Sequence, residues 1–278
     1  MASKEKVLVT GGAGFIGSFV VDELVKRGHR VRVLDNLEPQ VHGAAGQAPD
    51  YLNPDAEFIN ADVRDAEAFS RALEGVEIVF HQAALVGVGQ SMYQIRRYTE
   101  INAIGAAAML DVIAAGKNSV RKMLVASSMS VYGEGKYECK NCGFVYPRLR
   151  SVEQLRACGW EMLCPQCSET ASPMPTDEDK PLFPTSIYAV NKRSHEEMFL
   201  AVGNAYKIPT VALRYFNVYG PRQALSNPYT GVCAIFSARL LNRKSPVIFE
   251  DGLQSRDFVH VKDIVQANML AMEKKQAD

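Results

Sequence analysis

Eight consecutive residues, Thr10-Gly11-Gly12-Ala13-Gly14-Phe15-Ile16-Gly17, constrain this chain more than any other stretch. A β-rich apolar run at residues 6 to 10 precedes them. A segment at 15 to 27 with apolar residues at helical spacing follows, closed by Gly28. Between a strand and a helix, Gly-x-Gly-x-x-Gly has a mechanical meaning. The glycines allow a tight turn, let backbone approach a pyrophosphate and let helix pack on strand, while the helix N-terminus attracts phosphate. Gly11, Gly14, Phe15, Ile16 and Gly17 are therefore candidate contacts for a dinucleotide. Asp35 ends the next β-rich run at about the twenty-residue offset of a ribose-binding carboxylate. A carboxylate accepts from a free 2′-hydroxyl and repels a 2′-phosphate, so the expected cofactor is NAD rather than NADP. Asp62 and Val63, after the third run, are placed either to touch the adenine end or simply to form a strand-end turn.

Further β-rich runs at 31 to 35, 57 to 60, 77 to 81, 122 to 127 and 210 to 216 alternate with helix-like segments. That rhythm predicts an α/β fold of Rossmann type, a doubly wound parallel sheet covered by helices. Residues 134 to 184 interrupt it with a stretch rich in Cys, Pro and Gly that holds the single Trp. The expected organisation is a core at 1–133, an insertion at 134–184, the rest of the core at 185–216, and a small lobe with a returning helix at 217–278.

Lys+Arg and Asp+Glu both number 31, so no net field recruits nucleic acid or an anionic membrane surface. No apolar run approaches the length of a membrane span, and the N-terminal residues lack the pattern of a signal peptide. A cytoplasmic protein is expected. Of six cysteines, four form two Cys-x-x-Cys pairs, Cys139 with Cys142 and Cys164 with Cys167, separated by twenty-one residues. That spacing suits a four-thiolate tetrahedral zinc site with no open position, hence a structural ribbon; redox-active thiols are the alternative. Cys158 and Cys233, without partners at ligand spacing, read as ordinary small hydrophobes.

Tyr188 and Lys192 lie one helical turn apart on one face, where an ammonium lowers a phenol's pKa and makes it a base for a sugar hydroxyl. Together with the glycine loop, His81-Gln82-Ala83-Ala84, Asn102, Ser127-Ser128 through Val131-Tyr132-Gly133, residues 214 to 222 (Arg-Tyr-Phe-Asn-Val-Tyr-Gly-Pro-Arg) and Arg256-Asp257-Phe258-Val259-His260, the chain resembles the extended short-chain dehydrogenase/reductase family. It is most similar to that family's nucleotide-sugar epimerase and dehydratase branch, over nearly everything but residues 134 to 184. The resemblance implies Tyr188 as acid/base, Ser128 as the group that positions the sugar hydroxyl, and Lys192 on the nicotinamide ribose. It adds Asn36, Ala83, Ala84 and Asn102 to the cofactor contacts, and Ser130, Asn217 and Arg256 to those of a nucleotide-diphosphate sugar. Without the family, a turn residue is the alternative for Asn217 and a surface ion-pair partner the alternative for Arg256. The family also implies a homodimer through the helices carrying Asn102 and Tyr188. Its members continue past the helix after His260, so the resemblance implies an incomplete C-terminal lobe here.

Relatives that dehydrate or decarboxylate carry acidic residues directly after the serine of the fifth strand. Met129 and Ser130 stand there in this chain, and neither works as a general acid or base near neutral pH. Transient oxidation at C4 and return of hydride to the other face is the remaining chemistry, with the protein orienting and polarising. The cysteine-bearing insertion makes the chain most like the dTDP-L-rhamnose 4-epimerases of the branch. A UDP-hexose 4-epimerase is the alternative within enzymes, and a non-catalytic dinucleotide-binding regulator the alternative outside them.

Overall fold

The computed structural model describes residues 4–44, 46–224 and 231–274. The apolar runs become strands: β1 (Lys6–Thr10), β2 (Arg30–Asp35), β3 (Glu57–Asn60), β4 (Ile78–His81) and β5 (Lys122–Ser128). β6 (Lys136–Cys139), β7 (Gly143–Val145) and β8 (Ser172–Met174) lie in the insertion; β9 (Thr210–Tyr215), β10 (Asn217–Tyr219) and β11 (Phe258–His260) follow it. The first helices are α1 (Phe15–Lys26), α2 (Pro39–His42), α3 (Ala66–Ala72), α4 (Val88–Ser91) and α5 (Ile95–Thr99). α5 runs through a π-helical turn at Glu100–Ile104 into α6 (Gly105–Ala114). After a 3-10 turn at Met129–Tyr132 come α7 (Val152–Arg156), α8 (Ile187–Tyr206), α9 (Val232–Leu241) and α10 (Val261–Glu273).

Six strands pair in parallel in the order β3-β2-β1-β4-β5-β9. The chain winds outward from β1 to β3, then returns to lay β4 against the other side of β1. At such a reversal the loops leaving the carboxyl ends of β1 and β4 diverge and open a crevice. Both faces of the sheet are covered, which is why its strands are nearly continuous apolar runs. One core holds Leu8, Phe69, Met109, Ile113 and Phe199, under α3, α6 and α8. The other holds Val20, Leu24, Phe80, Leu124 and Met269, under α1 and α10. The returning helix at the end of the chain thus completes a layer of the sheet scaffold.

The insertion forms its own antiparallel sheet in the order β7-β6-β8, around a small core of Cys139, Val145, Cys164 and Ala171. Cys158, read from the sequence as an ordinary small hydrophobe, does not lie in the core. It is exposed after α7 in a left-handed conformation (φ 56°). β10 and β11 make a separate parallel pair. α9 buries only Ala234, and Leu240, Leu241, Phe249 and Leu253 are exposed. Among the described residues no helix is long and apolar enough to cross a membrane.

Candidate functional site

A cavity of about 690 Å³ lies at the carboxyl ends of β1, β4 and β5. Of the residues expected to hold a dinucleotide, Gly11, Gly14, Phe15, Ile16, Gly17, Asp35, Asn36, Asp62, Val63, Ala83, Ala84, Tyr188 and Lys192 all line it. Ser128, Ser130 and Asn217, expected to face a sugar nucleotide, line it too.

The glycine loop is tight because backbone meets backbone. A Cβ on Gly17 would stand 2.1 Å from the Gly11 carbonyl oxygen, so a side chain there would force α1 off β1. α1 begins at Gly14 with no side-chain cap, and its first turn faces the cavity. Uncapped N–H groups beside a cavity are suited to hold phosphate oxygens. Asp35 completes this end. Its two oxygens accept from the amides of Ala13 (3.1 Å) and Leu37 (2.9 Å), so the carboxylate also fixes the loop. Burial pushes its carboxyl above its ordinary pKa, against the pull of those amides. His42 stands beside it, Nε2 3.9 Å from Oδ1, and lines the same cavity. Asp62 accepts from Asn36 at 3.0 Å and from Arg64, whose hydrogen bond holds the carboxyl below its ordinary pKa. It is both a strand-end turn and a cavity wall. The set, amide donors at an uncapped helix start and glycine turn and an accepting carboxylate at the second strand, fits a dinucleotide with a free 2′-hydroxyl.

At the other end, α8 is capped by Ser186, whose hydroxyl accepts from the Ala189 amide at 3.1 Å. The Tyr188 amide donates to Ser91 Oγ at 3.0 Å, which holds the first turn of α8 against α4. Burial pushes the Tyr188 phenol up to about 12, against the pull of a hydrogen bond with Ser128. Burial pulls Lys192 down to about 7, and its Nζ donates to the Ala126 carbonyl at 2.6 Å. The phenol depression expected from a neighbouring ammonium is therefore not present in this structure: the lysine is directed at β5, and burial dominates both groups. Ser128 Oγ accepts from the Ser130 hydroxyl at 2.9 Å and the Ser130 amide at 3.2 Å, which orients it at the start of the 3-10 turn.

Two expected contacts stand outside the cavity lining. Asn102 is 1% exposed, and its side-chain amide grips both backbone groups of Leu85, accepting at 2.8 Å and donating at 3.0 Å. It shapes the loop after β4 that carries Ala83 and Ala84. Arg256 is exposed and donates to the carbonyl of its neighbour Ser255.

Several residues found here have contacts that the sequence does not show. Glu196, 4% exposed, accepts from Ser127 Oγ at 2.5 Å and receives the guanidinium of Arg214 at 2.7 Å. His81 and His195 pack edge to face in the core, 4.5 Å between ring centres, with Thr10 Oγ1 on His81 Nδ1 at 2.6 Å. Burial pulls His81 down to about 3 and His195 well below its ordinary value, so both are neutral. Arg222 lines the cavity, stacks over Phe19 and Tyr51, and pairs with Asp22 at 2.8 Å. Cys233 is half-buried in the wall, not sequestered in the core.

In the insertion, the sulfur atoms of Cys139, Cys142, Cys164 and Cys167 all lie within 4.8 Å of one another, and Cys139 Sγ is 3.5 Å from Cys167 Sγ. Four thiolates around a tetrahedral zinc, with Zn–S near 2.3 Å, stand about 3.8 Å apart, so the cluster fits such an ion.

Residues 7–278 match the family described as NAD dependent epimerase/dehydratase. A dTDP-L-rhamnose 4-epimerase of Burkholderia thailandensis is 39% identical over 95% of this chain and 71% of its own length. A UDP-glucose 4-epimerase of Thermotoga maritima, solved with UDP-glucose, superposes with a TM-score of 0.76 at 34% identity, covering 97% of this chain and 74% of that one. The UDP-glucose 4-epimerase of Thermus thermophilus, solved with NAD, gives 0.73 at 31% identity, covering 97% and 75%.

Proposed function

The chain belongs to the NAD dependent epimerase/dehydratase family and is an NAD-dependent sugar-nucleotide epimerase, and from that premise we propose that its substrate is dTDP-L-rhamnose, epimerised at C4. The substrate reading rests on the 39% identity to the Burkholderia enzyme; UDP-glucose relatives at similar coverage keep UDP-hexoses as the competing choice. Bound NAD supplies the acceptor and donor of hydride at C4. The chain's own part is proton handling and orientation. Lys192 would leave Ala126 for the nicotinamide ribose, and its ammonium beside the phenol would bring Tyr188 down from its buried value, so that Tyr188 as phenolate takes the proton of the C4 hydroxyl and gives it back, while Ser128 holds that oxygen with Ser130 behind it. Asp35 meets the adenosine ribose, and the first turn of α1 meets the pyrophosphate. Asn217 and Arg256 would grip the sugar nucleotide's diphosphate.

The observation that carries a 4-epimerase over a dehydratase or decarboxylase is the pair after Ser128. Met129 and Ser130 line the cavity there, and neither side chain titrates near neutral pH. A panel of dTDP- and UDP-sugars, followed by NMR, tests the substrate. Conversion of dTDP-L-rhamnose to its C4 epimer is expected; turnover of UDP-hexoses alone would overturn the dTDP-L-rhamnose reading.

The four clustered cysteines hold one structural zinc per chain, supported by their spacing and unpaired state. Elemental analysis of purified protein should find about one zinc ion per chain. Six free cysteines also fit a reducing cytoplasm. The protein forms a homodimer through α5, the π-helical turn and α8. Ile95 and Ile104 on the first two, and Val190 and Leu200 on α8, are exposed apolar side chains, and these elements pack together. Light scattering should report twice the monomer mass.

A further inference from the structure

The turn that carries Ser128 is fastened at both ends by charged groups that do not line the cavity. At its start Ser127 Oγ donates to Glu196 of α8, and Glu196 takes the Arg214 guanidinium from β9, at 2.5 and 2.7 Å. At its end Arg214 Nη1 donates to the Tyr132 hydroxyl at 2.9 Å. The Tyr132 carbonyl accepts from Lys180 Nζ. Lys180 is 1% exposed and its ammonium lies 4.5 Å from the Phe183 ring centre. The next residue, Gly133, passes so near Phe183 that a Cβ would stand 2.2 Å from that residue's carbonyl oxygen.

Lys180 and Phe183 belong to the inserted segment, on its return to α8. The same stretch is tied to the cysteine sheet: Lys136 of β6 pairs with Asp177 at 2.5 Å, its amide donates to Thr176 Oγ1 at 3.1 Å, and β6 carries Cys139. A buried ammonium costs desolvation that an apolar side chain of like volume avoids. What the charge adds is a directed bond to one carbonyl.

We propose that Lys180 and Arg214 are positioning residues for Ser128: with Glu196 they fix both ends of the turn that presents its hydroxyl, and Lys180 does so from the inserted module. The insertion is thereby part of the frame of the site. The proposal rests on the reading of Ser128 as the group that holds the reacting oxygen. It adds that the rigidity of that hydroxyl comes from residues remote in sequence, because a misplacement of about 1 Å can cost around a hundredfold in rate.

A double-mutant cycle in the full chain tests it. Lys180→Met keeps the bulk and removes the bond. It should lower kcat about ten- to a hundredfold while the KM for the nucleotide sugar changes less than about twofold. In a Ser128→Ala background the same substitution should have almost no further effect on kcat, since the hydroxyl it positions is gone. An equal loss in both backgrounds, or a loss seen only as lower thermal stability with parental kcat, would overturn the proposal. Should Lys180→Met not fold, Tyr132→Phe runs the same cycle from the Arg214 side: a smaller kcat loss that vanishes without Ser128 supports the clamp, and an additive one overturns it. Ser128→Ala alone separates the two readings, because near-parental turnover in that variant overturns the role given to Ser128 itself, whereas a large loss with additive cycles overturns only the clamp.

Discussion

The two ends of the cavity are built differently. The end proposed for the cofactor is made largely of backbone, the glycine turn and the uncapped start of α1, with one side-chain carboxylate held by the amides of Ala13 and Leu37. The end proposed for the sugar is made of side chains converging from β5, α8, β9 and the insertion, with Ser128, Tyr188 and Lys192 in front and Glu196, Arg214 and Lys180 behind. A dinucleotide pocket made of backbone is specified by which residues are absent, so it reads from a short motif. A pocket made of distant side chains is specified by folding, and its preference for one sugar is not written in any single stretch.

That contrast predicts where substitutions act. The largest effect is expected at the reacting end. Tyr188→Phe removes the phenolic oxygen and keeps the ring, so kcat should fall by about a hundred- to ten-thousandfold while NAD and sugar-nucleotide affinities change little. Near-normal turnover in that variant would erase the distinction drawn for the sugar end. Next comes the frame. Glu196→Ala leaves the Arg214 guanidinium without its carboxylate, and removing one member of a buried pair costs roughly 3–5 kcal/mol. Because the Arg214 side chain keeps 20% exposure, the loss should sit near 3 kcal/mol, read by denaturant unfolding. A loss under about 1 kcal/mol, the range of a surface pair, would show that water already carries the charge. The smallest effect is at the cofactor end. Asp35→Ala should narrow the preference for NAD over NADP by roughly tenfold, the scale of one hydrogen bond to a charged group, measured by cofactor titration. Equal affinity of the parent for both cofactors would show that Asp35 does not reach the ribose.

How much was legible in the sequence follows the same division. The strand and helix positions came through because parallel strands buried on both faces are continuous apolar runs, and the helix implied by the spacing of Tyr188 and Lys192 is α8, with Ser186 as its cap. Tyr188 and Lys192 were legible as a spacing on one helix face. Their electrostatics were not, since the direction of a buried pKa shift depends on what surrounds the pair: here burial raises the phenol and lowers the ammonium. Asn102, expected at the cofactor, holds the Leu85 backbone, a contact seventeen residues away in sequence that no local pattern announces. Glu196 had no signal at all. One carboxylate on a helix looks like a solvated face until β5 and β9 bring Ser127 and Arg214 to it. The cysteine cluster is the opposite case, with a ligand spacing explicit enough in sequence for the fold only to gather four sulfurs.

The central claim is that C4 is oxidised and reduced within one site, by hydride that never leaves it, with Tyr188 moving the proton. The direct measurement supplies dTDP-L-rhamnose deuterated at C4 and follows both epimers by NMR and mass spectrometry at equilibrium in ordinary water. Deuterium is expected to stay at C4 in substrate and product alike. Loss of the label to solvent as the epimers form would contradict it, because C4 would then be inverted by proton exchange at carbon.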